Sequence, residues 1–320
     1  MLANRDGIGV LENFIYGDTP EKSAVGELVR MIRKSPRTTW EVRLYQLCFQ
    51  LNIRPLPLKT LLVHLEMAGI LEPRYSYFEE LPFKFLVDRE AIIQRFEGER
   101  REFLRRIFEH SRTAKIWTRP DIEAIVASYD TDKRRILLAL EYLDEKGCIE
   151  LQPQRSVEVY GILHRDFDIE EQTEALFRIM QNREEYELER IRRMLDFFES
   201  DTCLSDRLSE YFGEQGVDRC GHCSVCTRGK ATLEVTDRRR PLSAFDFGEI
   251  TSELFQTADL DPTRSTIIRF LCGISFPVAA RSGLYRLAHF GVLGDYPYRE
   301  VAEWVDGQMG ARETTSLGIQ

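Results

Sequence analysis

The chain has 320 residues, 43% of them hydrophobic and 30% charged, with a formal net charge of −9. That length exceeds one comfortable core, so two to four domains are expected, and the composition excludes a disordered chain. No apolar run approaches the roughly 20 residues that cross a bilayer, and the start "MLANRDGIGV" lacks a secretory pattern, so a cytosolic protein with reduced thiols is expected.

Helical periodicity begins at residues 21–34 and returns at about 41–50. "LVHLEMAGILE" (62–72) then reads as an amphipathic helix, a glycine suited to a left-handed cap, and the start of a strand. The pattern recurs 78 residues later in "LEYLDEKGCIE" (140–150), where Leu62/Leu140, Leu65/Leu143, Gly69/Gly147 and Glu72/Glu150 coincide. Helical stretches at about 89–111 and 119–129 precede the second copy. Strand-like runs follow each copy: "ILEPRYSYF" and "FKFLV" after the first, "CIELQ" and "VEVYGIL" after the second. Three helices followed by a two-stranded ribbon is the order of a winged helix, although a three-helix bundle with a hairpin would give a similar pattern. The expectation is two tandem winged-helix-like units, 21–88 and 89–165, in a mainly α, α+β protein.

From Ile169 to Ser200 the apolar spacing predicts one long helix or a pair, through Leu176, Ile179, Met180, Leu188, Ile191, Leu195 and Phe198. Residues 166–200 carry eleven Asp/Glu against five Arg, a net of −6, so this segment supplies most of the acidic balance. The rest is near neutral and leaves room for local basic faces, which is all that nucleic-acid binding requires. "TRGKATLEVTDRRRP" (227–241) is polar and contains the best linker, 231–241, before a small helical unit over 242–320.

Four of the seven cysteines fall in "CLSDRLSEYFGEQGVDRCGHCSVC" (203–226). Cys203, Cys220, Cys223 and Cys226 are spaced C-x16-C-x2-C-x2-C. Two residues between thiolates turn successive sulfurs toward one centre, and Gly221 relieves the backbone in the knuckle. A fourth sulfur from a distant segment completes a tetrahedron, the geometry of structural Zn2+, with no open position for hydrolytic chemistry. An iron–sulfur cluster is the rival. His222 is expected outside the ligand set, and Cys48, Cys148 and Cys272 read as core cysteines.

This stretch, with the acidic helical segment before it, resembles the zinc-binding domain of RecQ-family ATP-dependent DNA helicases. The four cysteines match the family's ligands one for one, and Tyr211, Phe212, Gly213 and Glu214 match its aromatic element. "LENFIYGDTP" (11–20) looks like the stretch after the last motor motif in a bacterial branch, so 1–20 is expected to be the motor's C-terminal end. "RFLCGISFP" (269–277) and "RLAHFGVLGDYPY" (286–298) look like that branch's far C-terminal region. The resemblance implies a zinc-binding domain over 166–230, DNA as partner, a role in repair or recombination, and a motor in the full-length protein or a separate chain. It departs from better-known members, which place a winged helix after the zinc domain rather than before it.

No Gly-rich loop ending in Gly-Lys-Ser/Thr is present, so no ATP site and no catalytic residue are expected in these residues. The expected DNA contacts are Lys133, Arg134 and Arg135 in the first turn of the second copy's helix, with Thr131 or Asp132 as cap, and Arg155 in the wing. Arg238, Arg239 and Arg240 read as a solvated linker, Trp117 as a core plug, and Arg281, Arg286 and His289 as weaker candidates. Two further classes compete with the helicase region: a stand-alone zinc-containing winged-helix regulator and an acidic protein-interaction scaffold.

Overall fold

The computed structural model describes residues 7–214, 218–234, 239–258, 260 and 262–317, with side chains described as far as residue 310. The helices are α1 (Ile8–Asp18), α2 (Lys22–Lys34), α3 (Leu44–Leu51), α4 (Pro55–Met67), α5 (Arg89–Gln94), α6 (Gly98–Glu109), α7 (Ile122–Ser128) and α8 (Lys133–Glu145). They continue with α9 (Ile169–Phe198), α10 (Leu204–Tyr211), α11 (Ser224–Arg228), α12 (Phe247–Phe255), α13 (Arg264–Leu271), α14 (Pro277–Ser282) and α15 (Tyr298–Leu317). The strands are β1 (Thr39–Val42), β2 (Leu71–Glu80), β3 (Phe83–Phe85), β4 (Ser111–Ala114), β5 (Trp117–Pro120), β6 (Ile149–Leu151) and β7 (Gln154–Ile162). The class is the expected α+β. Two compact units divide the chain: one combines 36–44 with 69–163, the other takes 1–35, 45–68 and 164–320.

In the mostly helical unit, α2 buries Val25, Leu28, Val29 and Ile32, the i, i+3, i+4, i+7 stripe of an amphipathic helix, against α9. Leu58, Leu61, Leu62 and Leu65 form the buried stripe of α4, which also packs on α9. The segment 169–198 is one helix of 30 residues, opened by Asp168 accepting the Glu171 N–H at 2.8 Å. The C-terminal helices close a core of their own around Leu254, Ile267, Phe270 and Leu284. Residues 11–20 lie in α1 and its exit, which runs tightly against this core. A Cβ on Gly17 would fall 2.7 Å from Ile274 and 2.9 Å from the Arg54 guanidinium, so only glycine fits there. Arg54 spans the junction, holding Asp18 at 3.0 Å and the Ser275 carbonyl at 2.8 Å.

In the second unit, strand order departs from two self-contained ribbons. One antiparallel sheet runs β1-β7-β2 and the other β4-β5-β3-β6. Residues 21–88 and 89–165 thus share both sheets: β2 pairs with β7 and β3 with β6, rather than each with its sequence neighbour. The cause lies in two short connections. Pro82 separates β2 from β3 and Pro153 separates β6 from β7. The residue before a proline is driven to extended backbone, and a two-residue hairpin needs positive φ at least at its first central position, which neither Leu81 nor Gln152 adopts. The chain therefore continues out of one sheet into the other, and Leu81 and Phe83 enter the core with Ile107, Ile136, Leu140 and Ile149.

Gly69 and Gly147 adopt φ of 68° and 64°, the left-handed caps expected from the repeat. The pattern at 41–50 resolves into β1, built from the β-favouring "TWEV", followed by α3. That at 89–111 splits into α5 and α6 at Gly98, whose φ is 55°. Cys48, Cys148 and Cys272 are buried.

Candidate metal centre

At the end of α9 the chain turns through Ser200, whose hydroxyl accepts the Thr202 N–H, and delivers Cys203 as the first residue before α10. Cys203 is buried, and the other three thiols come from the short loop and helix at 220–226. Gly221, with φ of 74°, makes the turn between the second and third cysteines. Cys223 caps α11, its sulfur accepting the Cys226 N–H at 3.4 Å. Two more backbone donors point at sulfur: Cys220 N–H to Cys203 at 3.4 Å and Cys223 N–H to Cys220 at 3.3 Å.

All four sulfurs lie within 4.8 Å of one another, and Cys203 and Cys223 are 4.0 Å apart. A tetrahedral zinc with Zn–S bonds of about 2.3 Å separates its sulfurs by about 3.8 Å, so the cluster is of the right size. The electrostatics agree. The Ser205 hydroxyl, then the His222 and Cys223 N–H groups, hold Cys220 down to about 5, as a thiolate. Although the Gly221 N–H lowers it, Cys226 is pushed up to about 11, first by the neighbouring Cys223. Packed this close, the sulfurs keep a proton on Cys226 until a cation neutralises the cluster, and Zn2+ supplies the charge with four-coordinate geometry. His222 is exposed with Nδ1 2.8 Å from the Cys220 carbonyl, outside the cluster as expected. With four sulfurs closing the shell, the centre holds structure and has no position for a reacting water.

The aromatic element closes α10, the helix that Cys203 opens. Tyr211 and Phe212 are 71% and 74% exposed, packed edge to face at 5.3 Å, and Gly213 leaves the helix with φ of 88°.

A four-thiolate structural metal module appended to a long acidic helix is the class that this geometry defines. Residues 165–227 match the family described as RecQ zinc-binding. The chain is also 34% identical over 56 residues to the ATP-dependent DNA helicase RecQ of Bacillus subtilis (strain 168). That match covers 18% of this chain and spans only 10% of the relative's length. No solved structure matches the chain. No helix among the described residues is long and apolar enough to cross a membrane.

The basic residues read from the sequence lie in the other unit. Asp132 caps α8, accepting the Arg135 N–H at 2.7 Å. Lys133 places Nζ 4.6 Å above the Tyr77 ring, and Arg135 lies 4.4 Å over Phe103 while donating to Glu99. Arg155 has φ of 56° and pairs with Glu80 at 2.9 Å. Arg134 is exposed and makes no ion pair among the described residues. The structure thus brings Lys133 and Arg135 onto aromatic supports that the sequence reading missed. Nothing in local spacing links position 133 to Tyr77, which β2 supplies from 56 residues upstream. Trp117 is half-buried in β5. In the helical unit, Arg239 and Arg240 are not loose linker residues: they lie over the Tyr296 and Phe245 rings at 5.0 and 4.6 Å. Arg238 lies outside the described residues. His289 faces Glu253 at 3.3 Å, and Arg286 lies over Tyr285.

Proposed function

We propose that this chain is a DNA-binding accessory region of a RecQ-like ATP-dependent DNA helicase, acting in the cytosol on DNA in repair or recombination. The observation that carries the reading is the closed Cys203/Cys220/Cys223/Cys226 cluster inside the segment that matches the RecQ zinc-binding family. Zinc fixes the end of α9 to the 220–226 knuckle and so sets the surface that Tyr211 and Phe212 present. In this reading the winged-helix-like copy at 89–165, which shares its sheets with the strands of 21–88, grips double-stranded or forked DNA through its phosphates. Arg134 makes the most accessible contact, joined by Lys133, Arg135 and Arg155 once Tyr77, Glu99 and Glu80 release them. Residues 1–20 continue from the motor, 166–230 form the zinc domain, 231–241 link it to 242–320, and ATP hydrolysis belongs to a motor outside these residues.

The competing reading is a stand-alone zinc-containing regulator. The coding DNA upstream separates the two. A phosphate-binding ATPase motif, in frame or in an adjacent gene, is expected for the helicase region; an unrelated gene on that side contradicts it.

A further inference from the structure

Three stretches distant in sequence, 11–20, 269–277 and 286–298, meet around one side chain. Arg269 sits in the apolar run "TIIRFL" and is only 3% exposed, with Ile267, Ile268, Phe270 and Leu271 buried about it. Its Nη2 donates to the Thr19 carbonyl at 2.7 Å, but its Nε is buried and meets no acceptor among the described residues. A buried charged donor without an acceptor is costly, and burial itself pulls the guanidinium's proton affinity down. Arg269 lines a cavity of about 340 Å³ together with Arg264, Arg299, Ser265, Tyr16 and Tyr298. One wall is apolar, the Tyr16 and Tyr298 rings stacked at 4.4 Å.

The commitments of the other charged groups single out where a ligand would bind. Arg264 is occupied outside the cavity by Asp306, Nη2 to Oδ2 at 2.7 Å, and Arg299 donates Nε to the Tyr16 hydroxyl at 2.7 Å. Glu21 takes the Thr263 hydroxyl at 3.2 Å, and Glu303 is exposed. Burial pushes the Glu184 carboxyl up, toward its neutral form. Among the described residues, the donors left without an acceptor are therefore the buried Arg269 Nε, the Nη groups of Arg299 and the start of α13. There Thr263 caps the Thr266 N–H at 3.2 Å and leaves the N–H groups of Arg264 and Ser265 without helical partners. A buried guanidinium and a helix N-terminus on one cavity form an anion receptor.

We propose that this cavity binds the phosphate of a phosphomonoester, with the Arg269 guanidinium and the Ser265 end of α13 donating to its oxygens and the Tyr16/Tyr298 stack lying along the ester. This does not depend on the helicase reading. The phosphate can come from a DNA 5′ end or from a free mononucleotide, and the two are separable by experiment.

The test is a titration of the full chain with inorganic phosphate, followed by melting temperature and 31P NMR, against chloride at equal ionic strength. It is repeated with a 5′-phosphorylated oligonucleotide, its unphosphorylated twin, and a nucleoside monophosphate. Two variants accompany it. Arg269→Met removes the donor. Ser265→Asp keeps a residue favoured in a helix first turn, so the fold persists while a carboxylate takes the anion's place. Phosphate is expected to stabilise the wild type beyond chloride, with binding weakened about ten-fold or more in both variants. A preference for the phosphorylated oligonucleotide over its twin and over the nucleotide assigns the DNA end. Equal binding of the nucleotide assigns the small phosphoester, and both outcomes uphold the site. Phosphate indistinguishable from chloride, or a folded Ser265→Asp that binds as wild type, overturns it.

Discussion

Replacing Cys223 by serine removes the thiol at the centre of the metal cluster. Its sulfur is 4.0 Å from Cys203 and caps α11 through the Cys226 N–H. Besides Cys203, the buried apolar residues of the described segment from 203 to 234 are Val225 and Leu233. Two such side chains contribute about 3–6 kcal/mol by burial. A structural zinc contributes about 10–16 kcal/mol at neutral pH, so here the metal outweighs the core. The wild type should carry one zinc per chain by elemental analysis. Cys223→Ser should lose it, and the amides of 203–228 should lose protection in hydrogen exchange. The unit built from 36–44 and 69–163, with its own core around Phe83, Ile136 and Leu140, should keep its protection. Iron in place of zinc, or a metal-free Cys223→Ser protein with unchanged protection at 203–228, would show that zinc does not hold this segment together.

Gly147→Ala should destabilise by about 1–2 kcal/mol in urea unfolding, because the site needs positive φ; no atom lies within 4 Å of the new Cβ, so crowding contributes nothing. The Arg43 guanidinium, 2.8 Å from Glu79, holds that carboxyl below its ordinary value of 4.5. The pair's contribution should be complete above that value and fade as pH falls through the lowered one, and Arg43→Gln should remove this part of the acid-unfolding slope. The purified chain should show no DNA-stimulated ATP hydrolysis; turnover that co-elutes with the protein through successive columns would contradict the absence of a phosphate loop.

What could be read from the sequence was local in cause. The cysteine spacing, the Asp132 cap, the glycines at 69 and 147 and the stripe along α9 each depend on residues within a turn or a loop of one another. What escaped depends on tertiary pairing. The exchange of β2 and β7 between the two sequence copies follows from Pro82 and Pro153, but those prolines forbid a hairpin without saying which strand each partner finds. Lys133 and Arg135 read as free cations because Tyr77 and Glu99, which engage them, arrive from β2 and α6. Arg269 did leave a trace, a lone charge inside "TIIRFL", though only the fold puts Thr19 and Tyr298 beside it.

If this region holds DNA through a basic helix start on a zinc-bearing scaffold, its affinity must depend on salt through Lys133, Arg134 and Arg135. The deciding measurement is a forked-DNA titration of the wild type and Lys133/Arg134/Arg135→Ala at several salt concentrations. Removing one phosphate interaction should flatten the slope of log affinity against log salt by about one unit, and Arg134→Ala alone should account for about one such unit. A wild type that fails to bind forked DNA at low salt, or a triple variant that binds with the wild-type slope, would contradict DNA binding by this face.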